Sequence, residues 1–178
     1  MLAALAAADA VGADLEAGIA ALANLKPAEG RGQRTIINVD GGEAVLIDES
    51  YNANPASMAA AIGLLGAAPI ADGGRRIAIL GEMLELGPEG PALHAGLAEH
   101  LVAAKVDRVY AAGKLMRALW DQLPESMRGL YAGSAVGLVG PVEEVIAPGD
   151  VVMVKGSNAS KVSAVAYALS SRRQDSRG

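Results

Sequence analysis

Residues 76–83 have the sequence Arg76-Ile77-Ala78-Ile79-Leu80-Gly81-Glu82-Met83, a short apolar run that ends in a glycine and a carboxylate. Further apolar runs lie at Arg108 to Ala112, Leu130 to Ala132 and Val151 to Val154, and helical patterns alternate with them. Such alternation predicts a mostly parallel sheet with right-handed crossovers and helices on both faces. The sequence therefore indicates an α/β protein with a Rossmann-like sheet.

The ends of these strands are where a ligand is expected. Glycine follows these apolar runs directly at Gly81 and Gly113, and after Lys155 at Gly156. In open parallel sheets, ligands bind outside the carboxyl ends of the strands. Residues 81–83, 113–114 and 155–158 should therefore lie along one rim. The helices between the strands are predicted at about Ala92 to Ala104, Lys114 to Gln122, Pro141 to Ile146 and Ala159 to Leu169.

The first part of the chain has a different pattern. Residues 1–25 indicate two Ala- and Leu-rich helices, broken at Val11 to Asp14, where Asp14 can cap the second helix. Two β-branched runs around Asp40-Gly41-Gly42 then predict a β-hairpin over 34–47. Asn54-Pro55 marks a helix start, with Asn54 as N-cap and Pro55 in the first turn.

At the other end of the chain, residues 170–178 are polar, without an apolar period, and are expected to form a flexible tail.

Composition excludes several classes of function. The 178 residues suffice for one well-packed core with an appended piece, and hydrophobic residues make up 52% of them although Phe is absent. A net charge of −5 provides no basic face for nucleic acid, and the absence of cysteine excludes disulfides and thiolate chemistry. No apolar run reaches the roughly 20 residues of a membrane-spanning helix. We expect a soluble, cytoplasmic protein without a nucleic-acid partner.

The densest group of polar side chains is Asp48-Glu49-Ser50-Tyr51-Asn52-Ala53-Asn54-Pro55, between a predicted strand and a helix start. Two carboxylates, two hydroxyls and two amides at such a junction suggest a ligand site. The alternative is structural: Asn54 caps the helix, the carboxylates are solvated, and the Tyr51 ring packs against its neighbours. The residues alone leave both interpretations open.

Four ordered segments resemble the Mur ligases, and in particular the members that add D-alanyl-D-alanine. Asp48 to Met58 is similar to the junction between the central and C-terminal domains, and Leu25 to Gly32 to the Pro-x-x-Gly-Arg stretch that closes the central domain. Ile79 to Gly87, followed by His94, resembles the family's Gly-Asp/Glu-Met-x-Glu-Leu-Gly loop and its downstream His. Pro148 to Ser157 resembles its final strand and Lys-Gly-Ser loop. The resemblance extends over about residues 1–169.

The resemblance implies an enzyme of three domains, which bind the UDP-sugar, ATP and the incoming amine in turn. Residues 1–48, with their helices and hairpin, would be the remnant of the central ATPase domain, residues 49–170 the C-terminal domain, and 171–178 a tail. The implied reaction joins D-alanyl-D-alanine to UDP-N-acetylmuramoyl-tripeptide through an acyl phosphate in peptidoglycan synthesis, with ATP and Mg²⁺. The sequence contains no Gly-x-x-Gly-Lys-Thr/Ser loop. This chain alone should therefore be inactive, because ATP and Mg²⁺ would be bound mainly by the missing domain.

The resemblance also implies roles for individual residues. Arg31 would reach the ATP phosphates and Glu49 the ribose, although many relatives have Asp at the position of Glu49. The nucleotide side would be completed by Tyr51, Asn52 and Asn54. Lys155 would be the catalytic residue, and the substrate-binding set would be Glu82, Met83, Leu84, Glu85, His94, Lys155 and Ser157. No residue is expected to bind a metal.

The assignments of Lys155, the loop over 82–87 and His94 each have a structural alternative. Lys155 could extend to the rim and pair with Glu82 or Glu85. The loop at 82–87 could be an ordinary connection between a strand and a helix. His94 could be a packed or capping residue, since a lone His on an apolar helix face is more often that than a catalyst.

Other functions remain open at this point. A dinucleotide-binding domain fits the strand–helix alternation, but no strand leads into Gly-x-Gly-x-x-Gly. Another Mur ligase or a folylpolyglutamate synthetase would share the architecture and differ in the incoming amino acid. A free-standing ligand-binding module made from a detached ligase domain would have the same fold without the catalysis.

Overall fold

The computed structural model describes residues 2–23, 28 and 30–171. The strands are β1 (Gln33–Val39), β2 (Gly42–Glu49), β3 (Arg76–Gly81), β4 (Arg108–Ala112), β5 (Arg128–Ala132) and β6 (Val151–Lys155). The helices are α1 (Leu2–Ala10), α2 (Leu15–Ala23), α3 (Pro55–Ala67), α4 (Gly90–Ala95), α5 (Leu97–Ala103), α6 (Met116–Gln122), α7 (Val139–Val145) and α8 (Ser163–Ser171).

The strands form one sheet in the order β1-β2-β6-β3-β4-β5. Only the β1–β2 pairing in this sheet is antiparallel, and the other four pairings are parallel. The predicted α/β class is confirmed. The last strand in the sequence, β6, lies between β2 and β3, which the sequence did not reveal.

Both faces of the sheet are covered. Along β3, Ala78 and Leu80 belong to one buried cluster, while Ile77 and Ile79 belong to a second. The first cluster includes residues of α3, α5 and α6, and the second includes residues of α7 and α8. A strand buried on both faces needs a continuous apolar run, which explains the sequence of β3 and β6.

The start of α3 follows its sequence signals. The Asn54 side-chain oxygen accepts a hydrogen bond from the Ser57 N–H at 2.8 Å, and Ser57 Oγ accepts one from the Asn54 N–H at 3.0 Å. This reciprocal capping satisfies two backbone donors at the helix start. Met58, Ile62 and Leu65 are buried on the predicted face of the helix.

The hairpin is part of the main sheet. Residues 45–49 of β2 pair in parallel with residues 151–155 of β6, so the hairpin and the parallel strands are joined by backbone hydrogen bonds. The boundary expected between residues 48 and 49 falls at the end of β2, and no gap separates two sheets there. The division of the chain into domains stays a prediction.

The first two helices form a pair as predicted. Asp14 caps α2, because its Oδ1 accepts hydrogen bonds from the N–H groups of Glu16 and Ala17 at 2.9 and 3.2 Å. Gly18 of α2 lies against Leu5 of α1. None of residues 3–22 is buried, although both helices are rich in Ala and Leu. Lys26-Pro27 was predicted to end this helix pair, and these two residues lie outside the described residues.

The structure differs from the predicted helices in three places. The helix expected over 92–104 is two helices, which meet at Gly96. The helix expected from residue 159 begins at Ser163, because Asn158–Ser160 forms a 3₁₀ turn that ends at Lys161 with φ of 58°. Helix α8 continues to Ser171, and the tail expected beyond it, residues 172–178, lies outside the described residues. Within the described part of the chain, no helix is long and apolar enough to cross a membrane.

Candidate functional site

The predicted rim is formed by the carboxyl ends of the central strands. A Cβ atom added to Gly156 would lie 2.9 Å from the Cα of Gly81, so the strand ends of β6 and β3 are in close contact. The Ser157 N–H donates to the Glu82 carbonyl oxygen at 2.9 Å, which joins the two loops that follow. A side chain at Gly156 would meet the Gly81 backbone, and a Cβ atom at Gly81 would lie 2.5 Å from Ser160 Oγ and 3.0 Å from the Val162 Cβ, so both strand ends favour glycine.

A buried lysine lies at the centre of this rim. Lys155 is the register partner of Glu49 on the neighbouring strand, and its Nζ lies 3.6 Å from Glu49 Oε2. The Lys155 Nζ also donates to the Asn52 carbonyl oxygen at 3.0 Å. The Lys155 side chain is 3% exposed and that of Glu49 is 22% exposed. The alternative in which Lys155 pairs with Glu82 or Glu85 is wrong, because its carboxylate partner is Glu49.

The electrostatics of Lys155 follow from this burial. Burial lowers the pKa of the Lys155 ammonium, and the nearby Glu49 carboxylate opposes that shift. A lowered lysine pKa means that loss of hydration outweighs the attraction of a single carboxylate at this distance. The burial of the Lys155 ammonium is therefore only partly offset by Glu49, as is common for groups that act on a ligand.

The segment Gly30-Arg31-Gly32 packs against the end of β2. Gly30 and Gly32 have φ of 69° and 82°, and a Cβ atom on Gly32 would lie 3.0 Å from Glu49 Oε1. The Arg31 guanidinium lies 4.0 Å from the centre of the Tyr51 ring. The Tyr51 N–H donates to the Gly30 carbonyl oxygen at 3.0 Å. The sequence assigned a role only to Arg31, but the glycines on either side are what allow this contact.

The structure brings together some of the predicted nucleotide-binding residues. Arg31, Glu49 and Tyr51 converge at the end of β2, with the Tyr51 side chain exposed. Asn52 is also exposed, and its side-chain oxygen accepts a hydrogen bond from the Ala53 N–H at 2.9 Å. Asn54 caps α3 with its side-chain oxygen. The structural alternative for Asn54 is therefore correct for that oxygen.

The loop over 82–87 is held firmly at its first residue. The Glu82 carboxylate accepts a hydrogen bond from the Leu115 N–H at 2.8 Å, at the start of α6. The Glu82 side chain also lies where a Cβ atom on Gly113 would be. The Glu82 carboxylate therefore connects the loops after β3 and β4. Within the predicted substrate-binding set, Leu84 is half-buried and Glu85 is exposed.

His94 lies beneath this loop. It is fully buried, its Nε2 accepts a hydrogen bond from the Met83 N–H at 2.9 Å, and its Nδ1 lies 2.6 Å from the Gly90 carbonyl oxygen. Met83 is also fully buried. Both ring nitrogens of His94 therefore have backbone partners, as expected of a packed histidine, and the direct substrate contact assigned to it stays a prediction.

Ser157 provides a hydroxyl whose hydrogen-bonding capacity is not used. The residue is 6% exposed, and its Oγ has no hydrogen-bond partner among the described residues. The Ser157 carbonyl oxygen accepts a hydrogen bond from Ser160 Oγ at 2.6 Å, which fixes the turn after β6. A buried polar atom without a partner is costly, so Ser157 Oγ is the best candidate in the rim for contact with a ligand.

A further feature beside the rim lies between the hairpin and helix α8. A cavity of about 770 Å³ is lined there mainly by polar residues, among them Asp48, Ser50, Tyr51 and Asn158. Within residues 2–23, 28 and 30–171, no group of three or more His, Asp or Glu side chains could hold a metal ion. The geometry fits a site that contributes donors to a larger ligand.

Residues 30–158 match the family described as Mur ligase, glutamate ligase domain. The chain is 37% identical over 171 residues to the UDP-N-acetylmuramoyl-tripeptide--D-alanyl-D-alanine ligase of Escherichia coli (strain K12), which covers 94% of this chain and 35% of the relative. It is 30% identical over 154 residues to the enzyme of that name from Rickettsia prowazekii (strain Madrid E), with coverage of 86% and 33%.

Solved structures show the same fold. The MurF ligase from Thermotoga maritima in complex with ADP superposes with a TM-score of 0.76 at 24% identity, over 96% of this chain and 36% of that one. MurF from Acinetobacter baumannii superposes with a TM-score of 0.76 at 25% identity, over 95% and 36%. The chain spans about a third of the length of these relatives. Since the family match extends over most of the sequence and the sheet has the fold of these ligases, the chain belongs to the Mur ligase family.

Proposed function

We propose that this chain is the C-terminal third of a cytoplasmic, ATP-dependent ligase that joins D-alanyl-D-alanine to UDP-N-acetylmuramoyl-tripeptide in peptidoglycan precursor synthesis. The observation that supports this most strongly is the convergence of Glu49, Lys155 and the unpartnered Ser157 hydroxyl at neighbouring strand ends. A rim of this kind can position an incoming amine, but the sequence has no phosphate-binding loop. Turnover would therefore require the remaining domains.

The nucleotide would contact the side of the rim formed by Arg31, Glu49 and Tyr51. The Arg31 guanidinium is exposed on the Tyr51 ring, and an arginine in that position can bind phosphate oxygens through several donors. The Glu49 carboxylate, held near Lys155, can accept hydrogen bonds from a ribose. When bound, ATP supplies the phosphoryl group that activates the tripeptide carboxylate, and Mg²⁺ neutralises its phosphates.

The dipeptide would lie on the side formed by the loops after β3 and β6. Negative charge develops as an amine attacks an activated carboxylate, and a preorganised cation in a site with little water stabilises that charge most effectively. Lys155 meets this requirement because it is buried and only partly compensated by Glu49. The Ser157 hydroxyl is free to hydrogen-bond the dipeptide, and Leu84 and Glu85 extend the same loop surface.

The sheet also suggests where the domains divide. We place the start of the C-terminal domain near Gly30, because the hairpin is hydrogen-bonded to β6 and the family match begins at residue 30. The pair α1–α2 would then belong to the central domain. Its lack of buried residues is what we expect of apolar helices whose packing partner is that domain.

The test is an assay of the complete polypeptide that carries this chain. Phosphate release from ATP should depend on both UDP-N-acetylmuramoyl-tripeptide and D-alanyl-D-alanine, and L-alanyl-L-alanine should not replace the dipeptide. The isolated 178-residue chain should release no phosphate under the same conditions. Turnover with single amino acids but not with D-alanyl-D-alanine would reassign the chain to another member of the family.

A further inference from the structure

His94 has a single protonation state that fits its surroundings. The Gly90 carbonyl oxygen can only accept a hydrogen bond, so the Nδ1 at 2.6 Å from it must carry a proton. The Met83 N–H can only donate, so the Nε2 at 2.9 Å must be unprotonated. The buried ring is therefore the neutral Nδ1–H tautomer.

These two hydrogen bonds connect α4 to the loop after β3. Gly90 and His94 are in α4, while Met83 is in the loop proposed for the dipeptide side. The Met83 side chain is buried, so the Met83 backbone N–H could not turn toward solvent unless the whole loop moved. The His94 ring therefore fixes the position of the loop relative to α4.

The connection continues to Ser157. The carbonyl oxygen of Glu82, the residue before Met83, accepts a hydrogen bond from the Ser157 N–H at 2.9 Å. The orientation of the Glu82–Met83 peptide is thus coupled at one end to His94 and at the other to Ser157. A change at His94 would displace the Ser157 hydroxyl without touching it.

The loop needs such restraint because its backbone is unfavourable in isolation. Glu85 has φ of 63°, in the left-handed region that side chains other than glycine rarely adopt. Gly87 also has a positive φ, of 62°. A strained residue in a connecting loop persists only when the surrounding contacts impose its conformation.

We propose that His94 is a positioning residue for the dipeptide: through the Met83 amide it holds the loop over 82–87 and the Ser157 hydroxyl in the orientation that receives the incoming substrate. This role rests on the proposed function, because it assumes that the loop and Ser157 face the dipeptide. It assigns His94 an indirect contribution, through Nε2, in place of direct contact with substrate.

The first test compares His94→Leu and His94→Gln in the complete ligase. Leucine leaves the buried Met83 N–H without an acceptor, so we expect KM for D-alanyl-D-alanine to rise about 10-fold while KM for ATP is unchanged. Glutamine retains an acceptor near the position of Nε2 and should restore most of the affinity. His100→Leu is the matched control, since His100 is exposed in the next helix. Equal KM values for dipeptide in the Leu and Gln variants would overturn the proposal.

The second test does not depend on the ligase reaction. Nitrogen NMR of the 178-residue chain should show the His94 Nδ1 protonated and Nε2 unprotonated, and the Met83 and Ser157 amides should be protected from hydrogen exchange. In His94→Gln both amides should stay protected. The other tautomer, or fast exchange at both amides, would overturn the proposal even if the ligase is active. If these signals are as expected but the complete protein does not use the dipeptide, the proposed function fails and the positioning geometry stands.

Discussion

A buried charged side chain lies at each end of β6, and the two differ in how completely their partners satisfy them. Asp150, just before the strand, accepts four hydrogen bonds, three from Arg75 and one from the Ala147 N–H, with distances of 2.6 to 3.1 Å. Lys155, at the other end, has one hydrogen bond to a carbonyl oxygen and a carboxylate 3.6 Å away. Both side chains are almost completely buried.

The difference shows what each end of the sheet does. At the amino end, the Asp150 carboxylate has its hydrogen bonds satisfied, and its carbonyl oxygen also accepts from the Val45 N–H, so one residue joins the starts of β2, β3 and β6. The side-chain hydrogen bond from Arg75 to Asp150 raises the pKa of the guanidinium. At the carboxyl end, burial lowers the pKa of Lys155. We infer that the amino end stabilises the fold and the carboxyl end gives up stability for chemistry.

The largest effect is expected at Asp150. Asp150→Ala removes the acceptor of four hydrogen bonds and leaves Arg75 without its partner, so unfolding free energy should fall by about 3 kcal/mol. Guanidinium denaturation of the 178-residue chain measures the change. Asp150→Asn, which keeps the shape and part of the acceptor capacity, should lose less. A loss below about 1 kcal/mol would remove the proposed contrast between the two ends.

The next effect concerns Lys155 and is expected in activity. Lys155→Met keeps the apolar part of the side chain and removes the charge, so turnover of the complete ligase should fall at least roughly 100-fold, the scale of one charge-stabilising donor. Unfolding free energy should fall by less than about 1 kcal/mol, because the cost of burying the ammonium disappears and the Glu49 carboxylate that remains is 22% exposed to water. Unchanged turnover would exclude Lys155 from the chemistry, and a large loss of stability would make its role structural.

The pH dependence of stability provides a finer test of the same residue. Because the pKa of Lys155 is lowered in the folded protein from its ordinary 10.5, the folded state releases this proton at lower pH than the unfolded state does. The cost of burying the ammonium is fully present below the folded pKa and is relieved as the pH rises through it. Wild-type stability should therefore increase relative to Lys155→Met between neutral pH and 10.5. Denaturation curves of both proteins at several pH values measure this. If the difference between their unfolding free energies stays constant over this pH range, the lowered pKa of Lys155 is contradicted.

The smallest effect is expected for an exposed ion pair. Arg117 Nε lies 2.8 Å from Asp121 Oδ1, with side chains 61% and 50% exposed. Arg117→Ala should leave the unfolding free energy almost unchanged, since hydration and side-chain entropy offset most of the attraction between these exposed groups. Differential scanning calorimetry of Arg117→Ala and Asp150→Ala, run side by side, measures the difference in stability between the two variants. A loss comparable to that of Asp150→Ala would show that burial does not decide the strength of ion pairs in this protein.

The sequence predicted features that depend on neighbouring residues. Asn54-Pro55 specified the start of α3, and the glycines after apolar runs marked the rim. The hairpin followed from its turn residues. Each of these signals lies within a few positions of the structure that it determines, and for that reason periodicity and turn chemistry were sufficient.

Features that join distant parts of the chain were not predictable in this way. Arg75 and Asp150 are 75 residues apart, and Glu82 lies 33 residues from the Leu115 N–H that it caps. The sequence offers Glu82 and Glu85 as alternative partners for Lys155, but the strand order places Glu49 beside it. The resemblance places His94 in the substrate-binding set, and only the structure shows that its ring nitrogens contact Met83 and Gly90.

The position of β6 has a consequence for how the protein is made. This strand is the last in the sequence, yet it supplies the pairing that connects the hairpin to β3, β4 and β5. During synthesis the β1–β2 hairpin and the β3–β4–β5 strands therefore cannot join until residues 151–155 leave the ribosome. Until then each part has an unpaired strand edge. Pairing between distant strands makes folding slow and exposes these edges to aggregation. We expect newly made chains to depend on chaperones until this strand has paired.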